Sequence, residues 1–296
     1  MMTILRRHIF YLLIPICFSV FASVALAQQT TTPTPTPSPT PESEGKKIEQ
    51  EIEQIFRVRK KNSSVTNTAD FGNVGELEIG YGYGGFFRGP GFRSQHTGTL
   101  TLNFAATERI GLEFEVDNIA SQLDSSFAQT TGVGDSRLTA QLDLIDDAEG
   151  VASFAVSYFI KIPSASVVKG LGSGRLDHKF AALISKKIGG VDVDINAALL
   201  VNGKQGESGF VTGGEYSIAV THDLTKKFNL LAEVFGETKD SDQPKGLFAS
   251  GVASYQITKK ANLNFGVIVG LTPSSPRFGL NVGITYNIGN LFKKGK

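Results

Sequence analysis

From residue 278 to 288 the chain alternates without interruption. Phe278, Leu280, Val282, Ile284, Tyr286 and Ile288 fall on one face of an extended strand, and Gly279, Asn281, Gly283, Thr285 and Asn287 on the other. About twelve runs of this kind follow one another from Val74 onward. The clearest besides the last are Ile110 to Asn118, Ser136 to Leu144, Ala152 to Ile162, Val191 to Asn202 and Ala261 to Leu271. Each is long enough to cross a bilayer as a tilted strand, which takes about 9 to 11 residues, whereas strands of soluble proteins are nearer 5 or 6. No helical period appears in this part of the chain.

The connections alternate between tight and long. Tight turns are expected at Thr107-Glu108-Arg109, Asp146 to Gly150, Lys186 to Gly190, His222 to Lys227 and Thr258 to Asn262. Longer loops are expected at Gly84 to Gln95, Ala120 to Gly132, Pro163 to Gly174, Gly203 to Ser208, Glu237 to Lys245 and Thr272 to Pro276. Short turns at one end and long loops at the other are the plan of an outer-membrane barrel. Proline removes a ladder donor, and Pro90, Pro163, Pro244, Pro273 and Pro276 all fall in the long loops. A weak repeat supports one recurring hairpin: "ISKK", "LTKK" and "ITKK" place Lys186-Lys187, Lys226-Lys227 and Lys259-Lys260 just before new alternating runs. The expected fold is an all-β, transmembrane, antiparallel up-and-down β-barrel of about twelve strands over residues 72–290. A soluble β-sandwich is the alternative that strand length and loop asymmetry disfavour.

Ahead of the barrel the composition changes three times. Arg6, Arg7 and His8, an apolar run from Ile9 to Phe21 and the Ala25-Leu26-Ala27 site read as a signal peptide over residues 1–27. Residues 28–45 form a Pro/Thr-rich linker with polyproline character. Residues 46–62 carry Ile48, Ile52, Ile55 and Phe56 at helical spacing, which predicts a short amphipathic helix. That segment has four readings: it packs on the barrel, pairs with a copy of itself, enters the lumen, or stays solvated. Residues 291–296 read as a basic tail. Cys17 lies in the signal segment, so the exported chain is expected to hold no disulfide. A net charge of +1 disfavours a nucleic-acid partner.

Taking the more apolar face of each run as outward yields an interior set. It contains Glu78, Glu113, Glu115, Asp117, Asp135, Asp143, Asp177, Asp192, Asp194, Glu215 and Glu233, with Arg137, Lys161, Arg175 and Lys179 as the bases. Charges on a lipid face cost about 2 to 4 kcal/mol for Arg or Lys at the midplane, so their clustering on one face supports the assignment. The excess of acids predicts a narrow lumen favouring cations or neutral solutes; pairing among these charges is the bland alternative. Phe159, Phe235 and Phe248 fall on the inward side. Tyr83, Tyr158, Phe180, Tyr216, Tyr255 and Tyr286 are among the outward aromatics expected at the two lipid interfaces.

Candidate chemistry is sparse. His96, His178 and His222 lack metal-ligand spacing, and no nucleophile elbow or phosphate loop is present, so no cofactor and no metal are expected. Ser94 and His96 are two apart and share a strand face, which leaves a lipid-modifying enzyme as a rival reading. A non-conducting barrel that serves the envelope structurally is the second rival.

The run "TTGVGDSRLTAQLDL" from Thr130 to Leu144 places Gly132, Gly134 and Asp135 ahead of an alternating strand. In a barrel-like chain this pattern resembles the outer-membrane proteins grouped as the phenol meta-cleavage pathway (MetA-pathway of phenol degradation) family of transporters. The resemblance implies passage of small solutes, with aromatic or hydrophobic compounds as candidates, across the outer membrane of a Gram-negative-type bacterium. The partners expected are thus the lipid bilayer, the outer-membrane assembly machinery and a small-molecule solute.

Overall fold

The computed structural model describes residues 65–69, 71–146, 151–204, 208–238 and 246–292. The expected signal peptide, linker and amphipathic helix, and all but two residues of the basic tail, lie outside them. Thirteen strands are formed: β1 (Glu76–Gly89), β2 (Phe92–Ala105), β3 (Ile110–Asp124), β4 (Gln129–Gly132), β5 (Ser136–Ile145), β6 (Ser153–Ile162) and β7 (Asp177–Ile188), then β8 (Val191–Gly203), β9 (Phe210–Thr225), β10 (Phe228–Glu237), β11 (Gly246–Thr258), β12 (Ala261–Gly270) and β13 (Phe278–Asn290).

Apart from β4, sequential neighbours pair antiparallel, and β1 pairs with β13, so the sheet closes on itself. The short β4 pairs only with the outer part of β3, while β5 takes over along its inner part. Residues 129–145 therefore form one interrupted wall element, and the closed ring has twelve strands. Closure puts the start of β1 and the end of β13 together at the short-turn rim, where Glu76 faces Asn290. The last strand is irregular: Leu77 faces Gly289 and Glu78 faces Asn287, with Gly289 at φ 125°. A residue is looped out, as glycine permits at such a dihedral angle. Phe292 follows and meets Phe104 edge-on at 5.9 Å between ring centres.

Several strands run further than the alternation suggested, mostly at the long-loop end. β1 and β2 stay paired up to Gly89 and Phe92, so the loop expected at Gly84 to Gln95 is a hairpin closed by Pro90-Gly91. Its glycines pair with neighbours and belong to the wall. β3 likewise continues past Ala120 and folds back through β4. The tight turns at 226–227 and 259–260 are shaped by threonine. Thr225 Oγ1 accepts from the Lys227 and Phe228 amides, and Thr258 Oγ1 from the Lys260 amide. The recurring Thr-Lys-Lys thus encodes a turn.

The outer face is apolar. Leu112, Phe114, Leu138, Ile195, Ile218, Leu263, Phe265 and the whole Phe278-to-Ile288 stripe are exposed, a band a soluble protein would bury. The inner face holds Glu78, Asn103, Gln141, Asn196, Glu233 and Asn264, all buried. Hydrophobic outside and polar inside is the arrangement of a transmembrane barrel, and its outer surface sits in a lipid bilayer.

Candidate functional site

Residues 65–69 and Phe71 cross the barrel interior below its middle. Thr66 donates through its amide and its hydroxyl to Glu233 Oε1, at 2.6 and 2.5 Å, on β10. Asn67 exchanges two hydrogen bonds with Asn196 on β8: its amide donates to Oδ1 at 2.6 Å, and its carbonyl accepts from Nδ2 at 2.8 Å. The Ala69 amide donates to Ser185 Oγ on β7 at 2.8 Å, while the Thr68 carbonyl accepts from Gln141 on β5. Ala69 packs on Ala155 and Leu183, and Phe71 rests on Gly111 of β3. Only an enclosed segment can touch β10, β8, β7, β5 and β3 in seven residues. This strap spans the interior of the short-turn half from β10 to β3. "VTNTADF" has no alternation or charge run, so nothing local announces that role; its contacts with β8 and β10 span 129 and 167 positions of sequence.

The charged residues of the interior set meet in clusters. Arg137 on β5 forks onto Glu115 and Asp117 of β3: Nε donates to Glu115 at 3.0 Å and Nη1 to Asp117 at 2.7 Å. Planar guanidinium suits two carboxylates two residues apart on one strand face. Lys161 on β6 lies between Asp135 and Asp177. Lys179 on β7 meets Glu215 on β9 at 3.2 Å and stands 5.2 Å from the Phe159 ring centre. Asp143 accepts from Gln141, Asp194 from Ser185 and Glu233 from Ser250 as well as Thr66. Asp192 pairs with Lys187 at 3.6 Å near the short-turn rim. Glu78 is buried beside Asn103, and Glu113 on β3 faces Asn103 and Thr139 across the ladder. Arg175 stands apart from these clusters: it is exposed in the β6–β7 loop, and its amide donates to Ser173 Oγ.

Above the strap the interior opens into a cavity of about 470 Å3 at the long-loop end. Gly84, Gln95, Thr97 and Asn281 contribute to one side, and Leu171 and Ser173 of the β6–β7 loop to another. Beside it, Phe86 of β1, which also lines the cavity, reaches Phe248 of β11 at 6.0 Å across the chord of the barrel, and Phe248 stacks on Phe235 at 5.0 Å. Phe86 was not among the inward aromatics expected from sequence.

Gly132, Gly134 and Asp135 sit where β4 gives way to β5. A Cβ on Gly134 would stand 2.6 Å from that of Asp117, and one on Gly132 would stand 2.6 Å from Leu171. The Gly134 amide donates to the Asp117 carbonyl at 2.7 Å, which keeps the wall joined across the interruption.

The histidines are on or near the outer face. His96 stacks on Tyr83 and meets Phe87 edge-on, at 6.1 and 5.4 Å. His178 is stacked on Tyr158, whose hydroxyl lies 2.8 Å from Nδ1. His222 lies beside the turn at Gly190. Among the described residues, no group of three His, Cys, Asp or Glu side chains is placed to hold a metal ion.

The fold is similar to an outer-membrane channel from Pseudomonas putida F1, with TM-score 0.59 and 17% identity over 73% of this chain and 96% of that one. It is also similar to the KdgM porin, with TM-score 0.51 and 12% identity over 72% and 99% of the two chains. No curated sequence matches the chain. A family profile described as "Putative MetA-pathway of phenol degradation" matches residues 59–288.

Proposed function

The chain belongs to the MetA-pathway of phenol degradation family, and from that premise we propose that it is an outer-membrane channel passively admitting small solutes, aromatic compounds among them, through a narrow net-acidic lumen. The observation that carries the reading is the combination of a strapped short-turn half with a cavity of about 470 Å3 at the long-loop end. Hydroxyls and amides from Gln95, Thr97 and Asn281 line the cavity, and the Phe86–Phe248–Phe235 cluster offers an apolar surface at its edge. A flat apolar solute with one or two polar groups fits both chemistries.

Net acidity rests on eleven carboxylates against four bases in the interior set. Pairing of Arg137, Lys161 and Lys179 leaves the carboxylates in excess, which favours cations and neutral molecules. The location is the outer membrane of a Gram-negative-type bacterium, with the closing strand and Phe292 offered to the assembly machinery.

Planar-bilayer recording of the purified protein tests the proposal. Ion conductance with cation-selective reversal potentials is expected. Silence in both the full-length protein and a form lacking residues 28–70 would sink the channel, and anion selectivity would sink the lumen charge. For the hydrolytic alternative, Ser94 and His96 share a strand face and His96 borders the cavity, with its imidazole stacked on Tyr83 and edge-on to Phe87. Phospholipid hydrolysis that disappears in His96→Ala would reinstate it.

A further inference from the structure

Resting on the channel reading, we propose that Asp135, Lys161 and Asp177 form a buried latch that holds the β6–β7 loop, residues 163–176, across the long-loop end of the lumen. That loop then sets the largest solute the barrel passes.

Lys161 is 4% exposed at the end of β6, where an ammonium needs a partner for each of its three donors. It has them: a carboxylate oxygen of Asp177, Ser173 Oγ at 2.9 Å and Asp135 Oδ2 at 3.5 Å. Asp135 uses its other oxygen, Oδ1, to accept the Ala165 amide at 2.8 Å. One carboxylate therefore ties the start of the loop directly and its end through Lys161 and Ser173. Asp177 completes the device by accepting the Gly203 amide at 2.8 Å, which fixes the latch to β8.

Further contacts lie along the same seam. Ser164 Oγ donates to the Gly134 carbonyl at 3.2 Å and lies 3.0 Å from Ser136 Oγ. Lys169 Nζ reaches the Thr131 carbonyl at 3.3 Å. Close approach is possible because two positions lack a Cβ: one on Gly172 would stand 2.8 Å from Asp135, and one on Gly132 would meet Leu171. The loop contains no strand or helix, so these contacts are what hold it. Its tip, Gly170 to Ser173, lines the cavity opposite Gly84 and Asn281.

This assigns a purpose to the Gly-x-Gly-Asp spacing. Gly132 admits the loop's Leu171, Gly134 rejoins the wall at Asp117, and Asp135 anchors the loop. A buried ion cluster is a poor source of stability compared with apolar packing, but it fixes position. Losing Lys161 leaves Asp135 and Asp177 facing each other, and their repulsion frees the loop.

The test compares the full-length protein with Lys161→Met, Lys161→Arg and a chain in which residues 166–172 are replaced by a short Gly-Ser link. Each is scored for single-channel conductance and for liposome swelling in neutral sugars of increasing size. Folding is checked by heat-dependent gel mobility. Lys161→Met and the shortened loop are expected to raise conductance roughly twofold or more and to admit a sugar at least one ring larger. Lys161→Arg is expected to keep the parent limit. A folded loop-shortened protein with the parent's conductance and size limit overturns the latch while the channel reading stands. If parent and variants are all silent to ions and sugars, the channel reading falls and the latch with it. If Lys161→Met does not fold, the shortened loop decides alone.

Discussion

Phe71 lies flat against the backbone of Gly111, and no Cβ at position 111 would fit, because it would overlap the phenyl ring. One glycine on β3 is thus the seat of the strap's last anchor inside the barrel.

Gly111→Val is expected to expel Phe71 while leaving the ladder intact, since β3 pairs through this position by backbone alone. Gel mobility should stay that of a folded barrel, and single-channel conductance should rise. Unchanged conductance in a folded Gly111→Val protein would show that the strap does not limit the pore.

Glu233 holds the other end of the strap. Glu233→Ala removes the acceptor of two Thr66 bonds and one Ser250 bond. A buried donor left without its acceptor costs about 1 to 3 kcal/mol, so local opening of the strap should become correspondingly easier. Hydrogen exchange at the Thr66 and Asn67 amides, compared with exchange in β10, measures it. The expectation fails if protection at Thr66 is retained.

Arg137 neutralises two carboxylates on one strand, with its own side chain 17% exposed. Replacing it by methionine leaves Glu115 and Asp117 side by side. The expected loss is about 3 kcal/mol in reversible unfolding from lipid vesicles, with a shift of the reversal potential toward cations. Anion preference in Arg137→Met would contradict the charge assignment.

The outer face is tested at Val267, exposed near the middle of β12, where β11 and β13 flank it with Gly251 and Leu280. Val267→Arg is expected to cost about 2 to 4 kcal/mol in vesicles, the penalty for a cation at the bilayer midplane. Arginine at Leu263, on the same outward face but nearer the turn at 259–260, should cost less, as expected closer to the interface. Equal tolerance at both sites would mean that β12 does not face lipid.

Alternation is a local property. A strand's side chains switch faces with every residue, so "FGLNVGITYNI" fixes which residues share a side wherever the strand ends up. For that reason the approximate number of wall strands and the side each residue faces were readable from the chain alone, whereas the looped-out residue beside Gly289 was not. Strand ends at the long loops were less readable. The β1–β2 hairpin keeps pairing through glycines and a phenylalanine pair, where neither alternation nor charge marks the limit of the sheet.

Two features depended on which strands come together in space. Thr66 meets Glu233 and Asn67 meets Asn196 only because closure brings β8 and β10 around a common interior, and no pattern in "VTNTADF" encodes so distant a partner. Lys161 meets Asp135 and Asp177 only because β5, β6 and β7 stand side by side. The sequence by itself determined the faces and the strands. Which charges pair, what crosses the lumen and which loop covers it were decided by tertiary structure, because each needs groups far apart in the chain to share one enclosed volume.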